Sequence, residues 1–96
     1  MLWPLGDKSA PKNVWLRFVA KTDAPEPYSI QWQVVNTGQE AVNARQPRGD
    51  FYATDDSDKN VRWESTAYRG THWVEAFVLR AGACVARSGK FLVKVR

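Results

Sequence analysis

The two residue types that build most catalytic and metal centres are almost missing: the 96-residue chain has one cysteine, Cys84, and one histidine, His72. One thiol cannot form an internal disulfide, and one thiol with one imidazole cannot complete a four-ligand zinc site. A lone cysteine suits a reducing compartment, so a cytoplasmic location is expected. The acids of the Asp55 to Asp58 loop lack the ligand spacing and the glycine of a calcium loop. No metal and no cofactor are expected. Apolar runs are only a few residues long, far short of the roughly 20 that span a bilayer. Met1-Leu2-Trp3-Pro4 also lacks the basic start of a signal peptide, so neither a membrane segment nor secretion is expected. There is no phosphate-cradling glycine loop leading into a helix, and no G-x-S-x-G elbow. A His72–Cys84 dyad has no local signature, and Cys84, among Ala83, Val85 and Ala86, reads as a buried, inert thiol. Arg48-Gly49-Asp50 matches an integrin-binding tripeptide by chance. The expectation is a binding domain and not an enzyme.

What is present is apolar and aromatic. Hydrophobic residues make up 44% of the chain, enough for one core without staples, and five tryptophans are a high count for this length. Fourteen basic against ten acidic residues leave a net charge of +4. That balance suits an anionic partner, but it lacks the dense basic stripe of a nucleic-acid-binding domain and counts against a polymer ligand.

Residues 1–13 carry Pro4, Gly6 and Pro11 without an apolar period and read as an irregular lead-in or linker; residues 14–96 read as one domain. Val14, Leu16, Phe18 and Ala20 alternate with Trp15, Arg17, Val19 and Lys21, the period of a half-buried strand. Tyr28 to Asn36 alternates again and ends in the turn signal Asn36-Thr37-Gly38. Glu40 to Arg45 fits a helical turn or a short edge strand equally well. Further strands are expected from Arg48 to Tyr52, Val61 to Tyr68, His72 to Arg80, Cys84 to Arg87 and Phe91 to Val95, with a solvated loop from Thr54 to Asn60. About seven short strands spaced near ten residues, with almost no helical pattern, indicate an all-β antiparallel β-sandwich of the immunoglobulin-like kind in preference to a small barrel.

The densest polar and aromatic stretch runs from Arg62 to Glu75. Flat rings stack on bases, guanidinium forks pair with phosphates, and hydroxyls or carboxylates read base and ribose edges, so a nucleotide pocket needs this mixture. The same pattern is what core tryptophans with solvated neighbours produce. Glu64 and Glu75 flank the Gly70 turn; on a hairpin they could approach as a hydrolytic pair, but glutamates beside Arg62, Arg69 and Arg87 more often hold arginines in place.

Four blocks, Gln31-Trp32-Gln33-Val34-Val35-Asn36-Thr37-Gly38-Gln39-Glu40-Ala41, Arg48-Gly49-Asp50-Phe51, Glu64 through Glu75, and Val85-Ala86-Arg87-Ser88, resemble the adenylyl/guanylyl cyclase and SMODS C-terminal sensor domain. The likeness runs from about Trp15 to Val95 and leaves out the lead-in and the Asp55 to Asn60 loop. It implies a β-rich module beside or fused to nucleotide-second-messenger synthetases in bacterial anti-phage defence (CBASS), sensing a nucleotide or cyclic oligonucleotide. The implied partners are that ligand and a synthetase or effector domain, in cis or in trans. Arg48, Tyr68, His72, Trp73, Arg87, Glu64, Glu75, Thr66, Ser88 and Asn36 are the expected ligand contacts. A protein-interaction module docking on a synthetase, an effector or a phage component is the alternative, because exposed Trp, Tyr and Arg also make protein hot spots.

Overall fold

The computed structural model describes residues 8–43, 51–54 and 56–96. Its elements are β1 (Lys8–Ala10), β2 (Trp15–Val19), β3 (Ser29–Val35), α1 (Gln39–Asn43), β4 (Phe51–Ala53), β5 (Val61–Ser65), β6 (Gly70–Arg80), β7 (Ala83–Arg87) and β8 (Phe91–Val95). The fold is all-β, and its two layers are unequal. A six-stranded sheet runs β1-β8-β6-β3-β4 with β7 also on β6, and a two-stranded sheet pairs β2 with β5. Every pair is antiparallel except β1 with β8.

Alternation in β3 and β6 builds the core. Ile30, Trp32 and Val34 point to one face of the large sheet, and Val74, Ala76 and Val78 join them across the β3–β6 ladder. Phe18 of the small sheet closes over this face, with its ring edge-on to Phe91 at 5.3 Å. The small sheet therefore covers one face of the large one. The odd-numbered residues of β3 and β6 line the opposite, outer face.

Three features depart from the sequence expectation: Cys84 is exposed on β7 instead of buried, and the other two concern the strands. Val61–Ser65 and Gly70–Arg80 do not form a hairpin, because β5 pairs with β2 in the other sheet. Thr66 draws β5 there: its N–H donates to the Val14 carbonyl at 2.9 Å, and its carbonyl accepts from Asn13 at 2.7 Å. Within the lead-in, Lys8–Ala10 is a strand that adds to β8 and buries Ala10.

The long central strand β6 forks. On one edge it pairs with β3; on the other, residues 70–74 pair with β8 and residues 77–80 with β7. The β6–β7 hairpin turns through Ala81 and Gly82, both at positive φ (51° and 78°), the signature of a type I′ turn. Of the stretch from Glu40 to Arg45, the described part is helical, within α1 (Gln39–Asn43), and positions 44 and 45 lie outside the described residues.

Candidate functional site

Of the ten expected ligand contacts, Arg48 lies outside the described residues, and the other nine fall in two places. Asn36, Glu64, Thr66, Tyr68 and His72 gather where the two sheets and the connecting loops meet. Trp73, Glu75, Arg87 and Ser88 gather at the fork of β6.

In the first group the side chains of His72 and Thr66 are spent on backbone. His72 Nδ1 accepts the Thr37 N–H at 2.8 Å and Nε2 donates to the Tyr68 carbonyl at 2.6 Å, so the imidazole bridges two loops with its proton on Nε2. The loops approach so closely that both need glycine. A Cβ on Gly70 (φ 137°) would lie 2.5 Å from the Thr37 carbonyl oxygen, and one on Gly38 (φ 100°) 2.9 Å from that of Arg69. Glu40 completes the clasp by accepting the Arg69 N–H and the Lys12 ammonium. The Arg69 amide first, and Lys12 second, hold the Glu40 carboxyl below its ordinary value of 4.5. The Thr66 hydroxyl donates to the Pro11 carbonyl at 2.7 Å and accepts the Val14 N–H at 3.0 Å. Glu64 is paired with Arg62 at 2.7 Å, on a different sheet from Glu75.

Between the sheets, Asn36, Glu64, Thr66 and His72 line a cleft of about 30 Å³. That is room for a water or two, whereas ligand pockets run about 300–1,000 Å³. The cleft is too small for a nucleotide.

The second group faces outward. Glu75, only 1% exposed, receives Arg87 Nε at 2.7 Å, Arg87 Nη2 at 3.0 Å and the Gly89 N–H at 3.0 Å. Bonding to Glu75 raises the Arg87 pKa further above its ordinary value, so the guanidinium is permanently charged. Ser88 secures the same corner, its Oγ accepting the Ala76 N–H at 3.0 Å and its own N–H donating to the Ala76 carbonyl at 3.0 Å. The Arg87 side chain remains 64% exposed. Of its five N–H donors, Glu75 uses two, which leaves three for a ligand.

One aromatic ring packs against this guanidinium, and two others lie along the same face. Arg87 lies over the Phe77 ring at 5.1 Å, Lys90 over the Trp73 ring at 4.6 Å, and Phe51 meets Phe77 edge-on at 5.2 Å across β3. Trp73, Glu75 and Phe77 share the outer face by the period of two. Sequence reasoning singled out Trp73 and Glu75 and missed Phe77, Phe51 and Lys90. The same alternation identifies Phe77; Phe51 and Lys90 come from other strands and loops and leave no local signal.

A second depression of about 280 Å³ lies between Asp23, Ala24, Pro25, Arg80, Val85 and Ala86. It holds none of the expected residues and offers no aromatic face. Its guanidinium, Arg80, already donates to the Pro27 and Glu26 carbonyls at 3.3 and 3.4 Å. Among the described residues, no group of three or more His, Cys, Asp and Glu is placed to hold a metal ion. No helix among them is long and apolar enough to cross a membrane.

The fold is thus an all-β module that presents a fixed, solvent-facing guanidinium on the outer face of its large sheet. The chain belongs to the Adenylyl/Guanylyl and SMODS C-terminal sensor domain family, whose model matches residues 6–96. The match reaches further into the lead-in than the sequence likeness indicated, in keeping with the strand at Lys8–Ala10. No curated protein and no solved structure gives a match.

Proposed function

We propose that this sensor domain binds a nucleotide or cyclic-oligonucleotide second messenger on the outer face of the large sheet. It then signals to a linked or partner domain, a synthetase or an effector, of a cytoplasmic bacterial anti-phage system. One observation carries the reading: Arg87 is held by the buried Glu75 carboxylate and keeps three N–H donors on an aromatic face. A guanidinium so fixed binds phosphate without first losing the rotamer freedom of a loose arginine. Lys90 adds a second cation, and Trp73, Phe77 and Phe51 supply stacking faces. Glu75 acts here as the residue that orients Arg87, since its oxygens are already committed. Ser88 does the same for the corner, and Thr66 and His72 hold the sheets and loops beneath. Arg48, three residues before Phe51, remains in the reading as a second phosphate partner.

The domain performs no chemistry in this reading; it couples binding to a partner through different affinities of two states. A ligand that binds only the folded state raises the melting temperature. A thermal-shift screen with mono-, di- and cyclic nucleotides should show such a rise, and calorimetry should show it lost in Arg87→Ala and reduced in Trp73→Ala. No shift with any nucleotide overturns the reading.

One observation favours the alternative of a protein-docking module. On the outer face of the small sheet, Trp15 is 68% exposed, and Arg17 lies opposite Trp63, itself 36% exposed. Trp and Arg are the residues that dominate protein hot spots. Binding of a synthetase or effector domain that is lost in Trp15→Ala, with no nucleotide response, would favour docking.

A further inference from the structure

If the outer face binds a nucleotide as proposed above, its strand register bears on which base it accepts. Across the large sheet, register partners line up as Ala53, Gln31, Phe77 and Arg87, one from each of β4, β3, β6 and β7. Adjacent strands lie about 4.8 Å apart, so Gln31 and Arg87 are separated by two spacings, roughly 10 Å, with Phe77 between them. A base stacked on the exposed Phe51 ring, which stands edge-on to Phe77 across β3, thus has Gln31 along its edge and Arg87, beyond Phe77, within reach of its 5′-phosphate.

Gln31 is suited to that edge. It is exposed in mid-strand, and its amide makes no hydrogen bond among the described residues, whereas Gln33, its neighbour on the same face, is engaged. Its register partner on β4 is the small Ala53, which leaves the side toward that strand open. An amide presents one acceptor and a donor group side by side. That pattern complements the N6 donor and N7 acceptor of adenine. Guanine presents two acceptors on the same edge, which call for a guanidinium, and donors on its pairing edge, which call for a carboxylate. On this face the three remaining Arg87 donors are assigned to the phosphate, and the Glu75 oxygens are committed to Arg87 and the Gly89 N–H.

We propose that Gln31 reads the base and that the site selects adenine nucleotides over guanine nucleotides. A bidentate amide–base pair is worth about one to two decades of affinity.

The test is calorimetric titration of the whole domain with AMP, GMP, cyclic di-AMP and cyclic di-GMP. The adenine member of each pair should bind at least tenfold tighter. Gln31→Ala should remove that preference by weakening adenine binding alone, and Gln31→Glu should reverse it, since a carboxylate accepts from the guanine donors. Gln31 is exposed, so both variants should melt as the wild type does, and a melting-temperature check excludes misfolding as the cause. Equal binding of adenine and guanine ligands, or a preference that survives in Gln31→Ala, overturns the base-reading role and leaves the nucleotide site standing. If none of the four ligands binds, both readings fall.

Discussion

Glu75 and Arg87 are bound in a fork, Nε to Oε2 at 2.7 Å and Nη2 to Oε1 at 3.0 Å, with the carboxylate sealed and the guanidinium in solvent. The burial is one-sided, and so are the consequences of breaking the pair. Removing Arg87 leaves a charged oxygen pair in the interior with the Gly89 N–H as its remaining partner. Arg87→Ala should therefore lower the urea midpoint more than the double variant Glu75→Ala/Arg87→Ala does. A double variant at or below the Arg87→Ala midpoint would show that Glu75 does not need its counter-charge.

Glycine is required at the loop clasp and is only convenient in the β6–β7 turn. An alanine at position 70 meets the Thr37 carbonyl oxygen at 2.5 Å with φ at 137°, whereas one at position 82 meets nothing within 4 Å. Gly70→Ala should cost about 3 kcal/mol or more, from strain and overpacking together. Gly82→Ala should cost only the left-handed backbone, roughly 1–2 kcal/mol. Equal costs in chemical denaturation would contradict the close approach.

The Glu40 clasp ties loop closure to pH. Because the folded-state pKa lies below 4.5, the stabilisation is present above that value and is lost as the pH falls through and below it. Asp56, held low by the Asp58 amide and then by the Trp63 indole N–H, adds loss in the same direction below 3.8. The unfolding midpoint should fall on acidification through this range, and Glu40→Gln should flatten the upper part of the decline. An identical pH profile in Glu40→Gln would remove Glu40 from the clasp.

Trp32 is fully buried, and its indole N–H has no partner among the described residues. Trp32→Ala empties the centre of the core and should cost about 3–5 kcal/mol. Trp32→Phe loses volume but also removes a buried, unbonded donor that costs about 1–3 kcal/mol. Its stability should accordingly fall by less than half the alanine loss in the same denaturation experiment.

Strands whose residues alternate cleanly were legible in the sequence, and Phe91–Val95 coincides with its expected range because Phe91, Val93 and Val95 all turn toward the core side. Lys8–Ala10 was not legible, since a strand of three residues is too short to show a period. The β5–β6 connection misleads for another reason. Arg69-Gly70-Thr71 has the composition of a hairpin turn, yet Gly70 serves packing against Thr37 and Gly38, and the chain changes sheets there. At the site, residue types pointed to Arg87 and Trp73, but the register that adds Phe51 and Gln31 exists only once β3, β4 and β6 are paired. His72 illustrates the opposite case: its chemistry suggested a contact, while both ring nitrogens are taken up by Thr37 and Tyr68.

The uneven burial of the tryptophans makes the domain its own spectroscopic gauge. Trp32 lies sealed in the core, while Trp73 sits half-buried beneath Lys90 on the face assigned to the ligand. Emission from Trp32 should shift red only when the core opens to water, whereas quenching of Trp73 should follow occupancy of the outer face. In a Trp3→Phe/Trp15→Phe/Trp63→Phe background, which leaves Trp32 and Trp73 of the five tryptophans, one fluorescence titration could then separate a folding event from a binding event.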